Sequence, residues 1–160
     1  MADDSSRAGV RYADPAIVSF CDDAHARLDS ALIQAFTAPE RSGIPAIMVG
    51  RSEGQLLGLL VRMSGARRAV EVGTLAGFSA IHIARNLPSD GHLWTIENEP
   101  QHAEIARANF EEACVENQVQ VVLADGPDGL DQIASEGPFD LVFLDADKER
   151  YHVYTHWAIE

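Results

Sequence analysis

The sequence predicts an α/β fold, a doubly wound parallel sheet in which short strands alternate with helices. Three observations carry this. Four short apolar runs, at residues 69–72, 92–97, 119–125 and 139–145, are separated by stretches with helical spacing of apolar residues. Strands that alternate with helices join through right-handed crossovers, which makes the sheet parallel and covers both of its faces. The runs end at Gly73, Glu97, Asp125-Gly126 and Asp145, and in such sheets ligands bind beyond the carboxyl ends of the strands.

Taken in order, residues 1–5 are acidic and polar, unlike a secretory signal, and the opening segment is expected to fray. Asp14-Pro15 reads as a helix start, an N-cap followed by proline at the first helical position. Ile17, Val18, Cys21, Leu28, Leu32 and Ile33 then recur at helical spacing, and a loop is expected around Pro39, Gly43 and Pro45. Ser52 with Gln55 three residues on can form a capping box, and Leu56, Leu57, Leu59, Leu60 and Met63 supply the apolar stripe of the helix it opens. After the first strand a helix runs through Ala80, Ile81, Ile83 and Ala84; after the second, one runs from about Pro100 to Ala113. A short helix leads on from Pro127, and a last one contains Tyr151 and Trp157. The organisation is one domain over 1–160, with helices at 14–64 and βα units at 65–160. Trp94 and Trp157 read as packing residues, and His152 and His156 as a solvated helix face.

Composition excludes several function classes. The net charge is −13, and 12 basic residues are scattered along the chain, whereas a polyanionic nucleic acid calls for clustered Lys and Arg. No apolar run approaches the roughly 18 residues of a membrane span. Cys21 and Cys114 are too few and too distant for a disulfide framework or a zinc site, which fits a reducing, cytoplasmic setting. An acidic protein accommodates a cationic small molecule or a divalent metal.

The strand ends carry the chemistry. The segment from Glu71 to Ser79 departs from the dinucleotide fingerprint G-x-G-x-x-G, because Glu71 stands where the first glycine belongs. A carboxylate there repels a pyrophosphate and tolerates a cationic centre. Gly73 and Gly77 allow a ligand to approach the backbone closely. Glu97 can accept a hydrogen bond from each of two ribose hydroxyls, and Asp125-Gly126 offers backbone and a small residue beside a flat base. Read singly, each is an ordinary turn or a solvated cap; together and in order they form a site.

Glu71-Val72-Gly73-Thr74 through Gly77-Phe78-Ser79 resembles motif I of class I methyltransferases. Together with Leu144-Asp145-Ala146-Asp147-Lys148 and Glu53-Gly54-Gln55, the resemblance is to the cation-dependent O-methyltransferases, the group of the caffeoyl-CoA and catechol enzymes. It runs from about Met48 to the end of the chain. It implies a Rossmann-like class I methyltransferase fold with strand order 3-2-1-4 and S-adenosylmethionine held by Val49, Glu71, Gly73, Thr74, Ser79, Glu97, Gly126 and Asp145. Glu97 would take the ribose and Gly126 the adenine. Asp145 would also bind a divalent cation, Mg or Ca, that orients the acceptor's oxygens and lowers a hydroxyl pKa. Lys148 would be the general base, its pKa drawn toward neutrality by the cation and partial desolvation. Asp147 would face the substrate, a small hydroxylated molecule of catechol-like or phenolic type. Homodimers are frequent in the family.

The family pattern continues past the position of Glu160 with a strand whose Asp-Asn pair completes the metal site, and then a hairpin. The expectation is thus a methyltransferase domain without its C-terminal strands. Two alternatives stand beside it: a remnant that acts only as a binding module, and a dinucleotide-dependent oxidoreductase, disfavoured by the missing glycines.

Overall fold

The computed structural model describes residues 14–159; the opening segment expected to fray, within residues 1–13, lies outside the described residues. Three helices come first: α1 (Pro15–His25), α2 (Ser30–Ser42) and α3 (Arg51–Ser64). Then β1 (Arg68–Val72), α4 (Phe78–Ala84), β2 (His92–Glu97), α5 (Pro100–Glu112), β3 (Val119–Leu123), α6 (Gly126–Ile133), β4 (Leu141–Leu144) and α7 (Tyr151–Ile159) follow. The four strands form one sheet in the order β3-β2-β1-β4, and every pairing is parallel. Both the alternation and the strand order expected from the sequence hold.

Side chains alternate across a strand, and this alternation builds two cores. On one face Ala69, Leu93 and Val119 pack with Ala31, Leu32 and Ala35 of α2, Val61 of α3, Ile81 and Ile83 of α4 and Phe110 of α5. On the other face Val70, Val72, Trp94 and Ile96 pack with Leu130 and Ile133 of α6 and Tyr154 of α7. Central β1 and β2 are buried almost throughout, while edge strand β4 is only half-buried. Trp94 is core and Trp157 packs against Phe139, as expected of packing residues.

The N-terminal helices depart from expectation in five ways. The apolar periodicity from Ile17 to Ile33 is two helices. The chain leaves α1 at Ala26, and Asp29 caps α2 by accepting from the Leu32 amide at 2.9 Å. α1 buries none of its residues, so Ile17 and Val18 face outward. Pro39 lies in the last turn of α2 rather than in a loop, and Gly43 ends that helix in the left-handed region. The capping residue of α3 is Gly50, whose amide donates to Glu53 Oε2 at 2.6 Å; Ser52 is instead drawn to Asp22 of the α1 segment. Finally, the inward face of α3 is Gly54, Leu57, Gly58 and Val61. Leu56, Leu59 and Leu60 are about half exposed and Met63 more so. The reason is close approach: a Cβ at Gly54 would collide with His82, and one at Gly58 with Asn86, so α4 packs where α3 has no side chains. A leucine-rich stripe pointed the wrong way because the glycines mark the contact.

Candidate active site

One cleft of about 540 Å³ opens across the carboxyl ends of the strands, within the ~300–1,000 Å³ usual for small-molecule sites. Val49, Gly73, Thr74, Ser79, Glu97, Gly126, Asp145, Asp147 and Lys148 all line it. Of the residues singled out for the cofactor, Glu71 and Gly77 do not: Glu71 is fully buried beneath the lining, and Gly77 makes its close approach to the Phe110 ring, which a Cβ there would strike, rather than to the cleft.

The floor is shaped by the turn after β1. Gly73 has φ +101°, and a Cβ there would run into the carbonyl oxygen of Asp145, so only glycine lets the ends of β1 and β4 meet this closely. Leu75 adopts φ +49°, a conformation non-glycine residues rarely take. That turn directs two amides inward, Thr74 N–H (3.2 Å) and Leu75 N–H (2.8 Å), onto Oε2 of Glu97. Oε1 of Glu97 accepts from the amides of Asn98 and Glu99, each at 3.0 Å. The carboxylate expected to take ribose hydroxyls therefore also ties the β1 turn to the β2 turn.

Beneath this lies a second carboxylate. Glu71 accepts from Ser79 Oγ through Oε1 and from Thr95 Oγ1 through Oε2, both at 2.6 Å, and Thr95 Oγ1 is 2.6 Å from Thr74 Oγ1. Burial pushes its pKa up to about 7, against the two hydroxyl donors that lower it; the negative charges of Asp145 and Glu97 raise it further.

At the β4 end, Asp145 is raised above the ordinary carboxylate range, first by desolvation and then by Glu53, with Lys148 pulling the other way. Asp147 caps the 3₁₀ turn Lys148–Arg150 by accepting from the Arg150 amide at 3.1 Å. It also receives the Tyr154 hydroxyl at 3.3 Å, so its cap role and its place in the cleft coexist. Lys148 is exposed at the rim. Arg150 pairs with Asp125 and reaches Asp147 at 3.5 Å across the mouth. The cleft lining carries Glu97, Asp125, Asp145 and Asp147 against Lys148, with His102 3.5 Å from Glu97.

Sequence reasoning missed Thr95, His102 and Tyr154. Thr95 had a legible signal, a polar residue inside an apolar strand of a doubly covered sheet. Tyr154 sits where a Cβ on Gly126 would strike its ring, a tertiary contact no local pattern reveals. Among the described residues no three His, Cys, Asp or Glu side chains are grouped to hold a metal ion, and no helix is long and apolar enough to cross a membrane.

A parallel sheet ordered 3-2-1-4, with an acid-lined cleft and glutamates at the ends of β1 and β2, defines the class I methyltransferase type of α/β protein. The family model described as "O-methyltransferase" matches residues 23–160, and the chain belongs to that family. It is 43% identical over 145 residues to a catechol O-methyltransferase of Mycobacterium tuberculosis, covering 91% of this chain and 66% of that protein. It is 42% identical over 133 residues to one of Niastella koreensis, covering 82% and 60%. Among solved structures it resembles the O-methyltransferase TomG of Streptomyces achromogenes, involved in tomaymycin synthesis and solved with SAM. The TM-score is 0.86 at 37% identity, covering 90% of this chain and 66% of that one. An O-methyltransferase of Bacillus cereus in complex with SAH matches with TM-score 0.86 at 38% identity, again over 90% and 66%. The chain thus spans 60 to 66% of the length of the two curated relatives.

Proposed function

We propose that the cleft binds S-adenosylmethionine and that the protein transfers its methyl group to a hydroxyl of a small catechol-like or phenolic molecule. The observation that carries this is the charge and donor inventory of the cleft. Four carboxylates face it against one lysine, an environment that favours a cationic ligand centre and opposes a pyrophosphate. The Thr74 and Leu75 amides, which in a dinucleotide fold would cradle phosphate, are spent on Glu97. Relatives solved with SAM or SAH support the same reading.

The cofactor, when bound, supplies an electrophilic methyl group on a sulfonium. The chain's own residues bind and orient. In this reading adenosine would lie over β3 and β2, with Gly126 beside the adenine and Glu97 near the ribose. Gly73, Thr74, Ser79 and Asp145, at the β1 and β4 ends, would hold the methionine part. Val49 closes the side toward α3. Lys148 at the rim takes the proton from the acceptor hydroxyl, and Asp147 faces the acceptor. The remaining task is alignment for in-line displacement, a positioning problem.

For a divalent cation the donor set is partial. Asp145 is the one family-matched ligand, and desolvation together with the nearby Glu53 charge raises its pKa. Mg²⁺ and Ca²⁺ recruit several oxygens, and the described residues group no three candidate ligands. They do not fit a metal site. We expect Mg²⁺ to stimulate methyl transfer by the 160-residue chain little or not at all.

The two free cysteines support a reducing, cytoplasmic setting. The outward apolar residues of α1 and α3 support a homodimer, which sedimentation analysis tests. For the cleft, calorimetry with S-adenosylmethionine, S-adenosylhomocysteine and NAD decides. Binding of the first two without NAD is expected; preference for NAD would refute the reading, and binding of none would favour a remnant.

A further inference from the structure

At the end of β2 the carboxylate that faces the cleft is already full. A carboxylate has about four lone-pair sites. Oε2 of Glu97 accepts from the Thr74 and Leu75 amides at 3.2 and 2.8 Å, and Oε1 accepts from the Asn98 and Glu99 amides at 3.0 Å each. Thr74 is buried, so releasing its amide would leave an unsatisfied donor, at about 1–3 kcal/mol. A pair of ribose hydroxyls that reaches Glu97 therefore finds no unused site on it.

His102 has the acceptor that Glu97 lacks. It stands in the first turn of α5 and lines the cleft, and its side chain is only 17% exposed. Its Nδ1 faces Glu97 Oε1 at 3.5 Å. A neutral imidazole carries one N–H and one acceptor nitrogen, and the carboxylate beside Nδ1 favours the proton there. Nε2 keeps its lone pair. Asn98 also lines the cleft, but it is exposed and its side chain is free to turn away. We propose that His102 is a ribose-binding residue, whose Nε2 receives a hydroxyl that Glu97 cannot. Glu97 then holds the two turns and the imidazole in place, and His102 makes the site prefer a ribose to a deoxyribose.

The inference rests on the cleft being the S-adenosylmethionine site with its ribose at the β2 end, and the test separates the two. S-Adenosylhomocysteine and its 2′-deoxy and 3′-deoxy analogues, each short of one neutral hydroxyl, are titrated by calorimetry into the wild type and His102→Ala. The pH is about 8.5, above the ordinary titration range of imidazole. His102→Ala is expected to weaken S-adenosylhomocysteine about fivefold, the order of one neutral hydrogen bond. At least one deoxy analogue should bind both proteins equally, having already lost the contact. His102→Phe keeps a ring without an acceptor and should repeat the pattern, whichever of the two variants folds better. Equal weakening of all three ligands would mean that the side chain acts on the shape or charge of the cleft, and it would overturn the proposal. Wild-type affinities in both variants would overturn it as well, and would give the hydroxyls to Asn98 or to a Glu97 that sheds its amides. Failure of the wild type to bind S-adenosylhomocysteine would instead overturn the reading of the cleft, and the ribose contact with it.

Discussion

The three N-terminal helices and the βα units that follow them obey different packing rules. In the βα units the apolar residues are where the core is. β1 and β2 are buried almost throughout, and α4 is buried at every position from Phe78 to Ala84. In the helical layer α2 sends Ala31, Leu32 and Ala35 into the core, but α1 and much of α3 leave apolar residues outside. α1 buries nothing, and α3 turns Gly54 and Gly58 inward while Met63 is 75% exposed. A strand in a doubly covered sheet has no polar face to offer, so burial follows composition. A helix on the outside of the layer needs only a narrow contact, and here glycine makes it by permitting close approach. The site follows the first rule, since most of its polar members lie on strand ends or the turns after them, while Ser79, His102 and Tyr154 come from α4, α5 and α7 of the same βα units.

The comparison can be broken most severely at the β1 turn. Gly73→Ala places a Cβ against the Asp145 carbonyl at a positive φ, and it should cost on the order of 3–5 kcal/mol by urea denaturation. An unchanged midpoint would mean that β1 and β4 do not meet as described. The boundary between the regions comes next. His82 of α4 packs against Gly54 of α3, its Nε2 buried without a partner, and burial lowers its pKa to about 4 from 6.5. As pH falls below 6.5 the unfolded chain takes up this proton before the folded one does. Stability should therefore drop between about 6.5 and 4, by on the order of 2–3 kcal/mol. Glu71 works in the opposite sense: its raised pKa means the folded state holds its proton longer, so its contribution is lost as pH rises from 4.5 to about 7. The difference between wild type and His82→Leu isolates the histidine, and a pH-independent difference would contradict its burial.

Within one helix the contrast sharpens further. Val61→Ala, at a fully buried position, should destabilise by about 2 kcal/mol, whereas Met63→Ala two residues on should stay within about 0.5 kcal/mol. Comparable losses at both would restore the leucine stripe as the inward face.

How much was legible follows the same division. The strand order came with the family resemblance and the strands with their apolar runs. Gly73, Glu97, Gly126 and Asp145 stood at strand ends where the parallel sheet obliges a cleft. The two-helix break at Ala26 was not legible, because periodicity continues across it from Cys21 to Leu28. The capping shift from Ser52 to Gly50 was not either, since it depends on Asp22 reaching Ser52 from another segment. Glu71 was read as a carboxylate a pyrophosphate would avoid. Its depth below the lining, though, depends on Ser79 and Thr95 closing over it, which is a tertiary fact.

The central claim is that the βα turns, not the helical layer, hold the cofactor. Amide hydrogen exchange with and without saturating S-adenosylhomocysteine tests it most directly. Protection is expected over residues 73–79, 97–98 and 125–126, with little change over α1 and the outer face of α3. Protection confined to the helices, or none at these turns despite binding, would contradict the account.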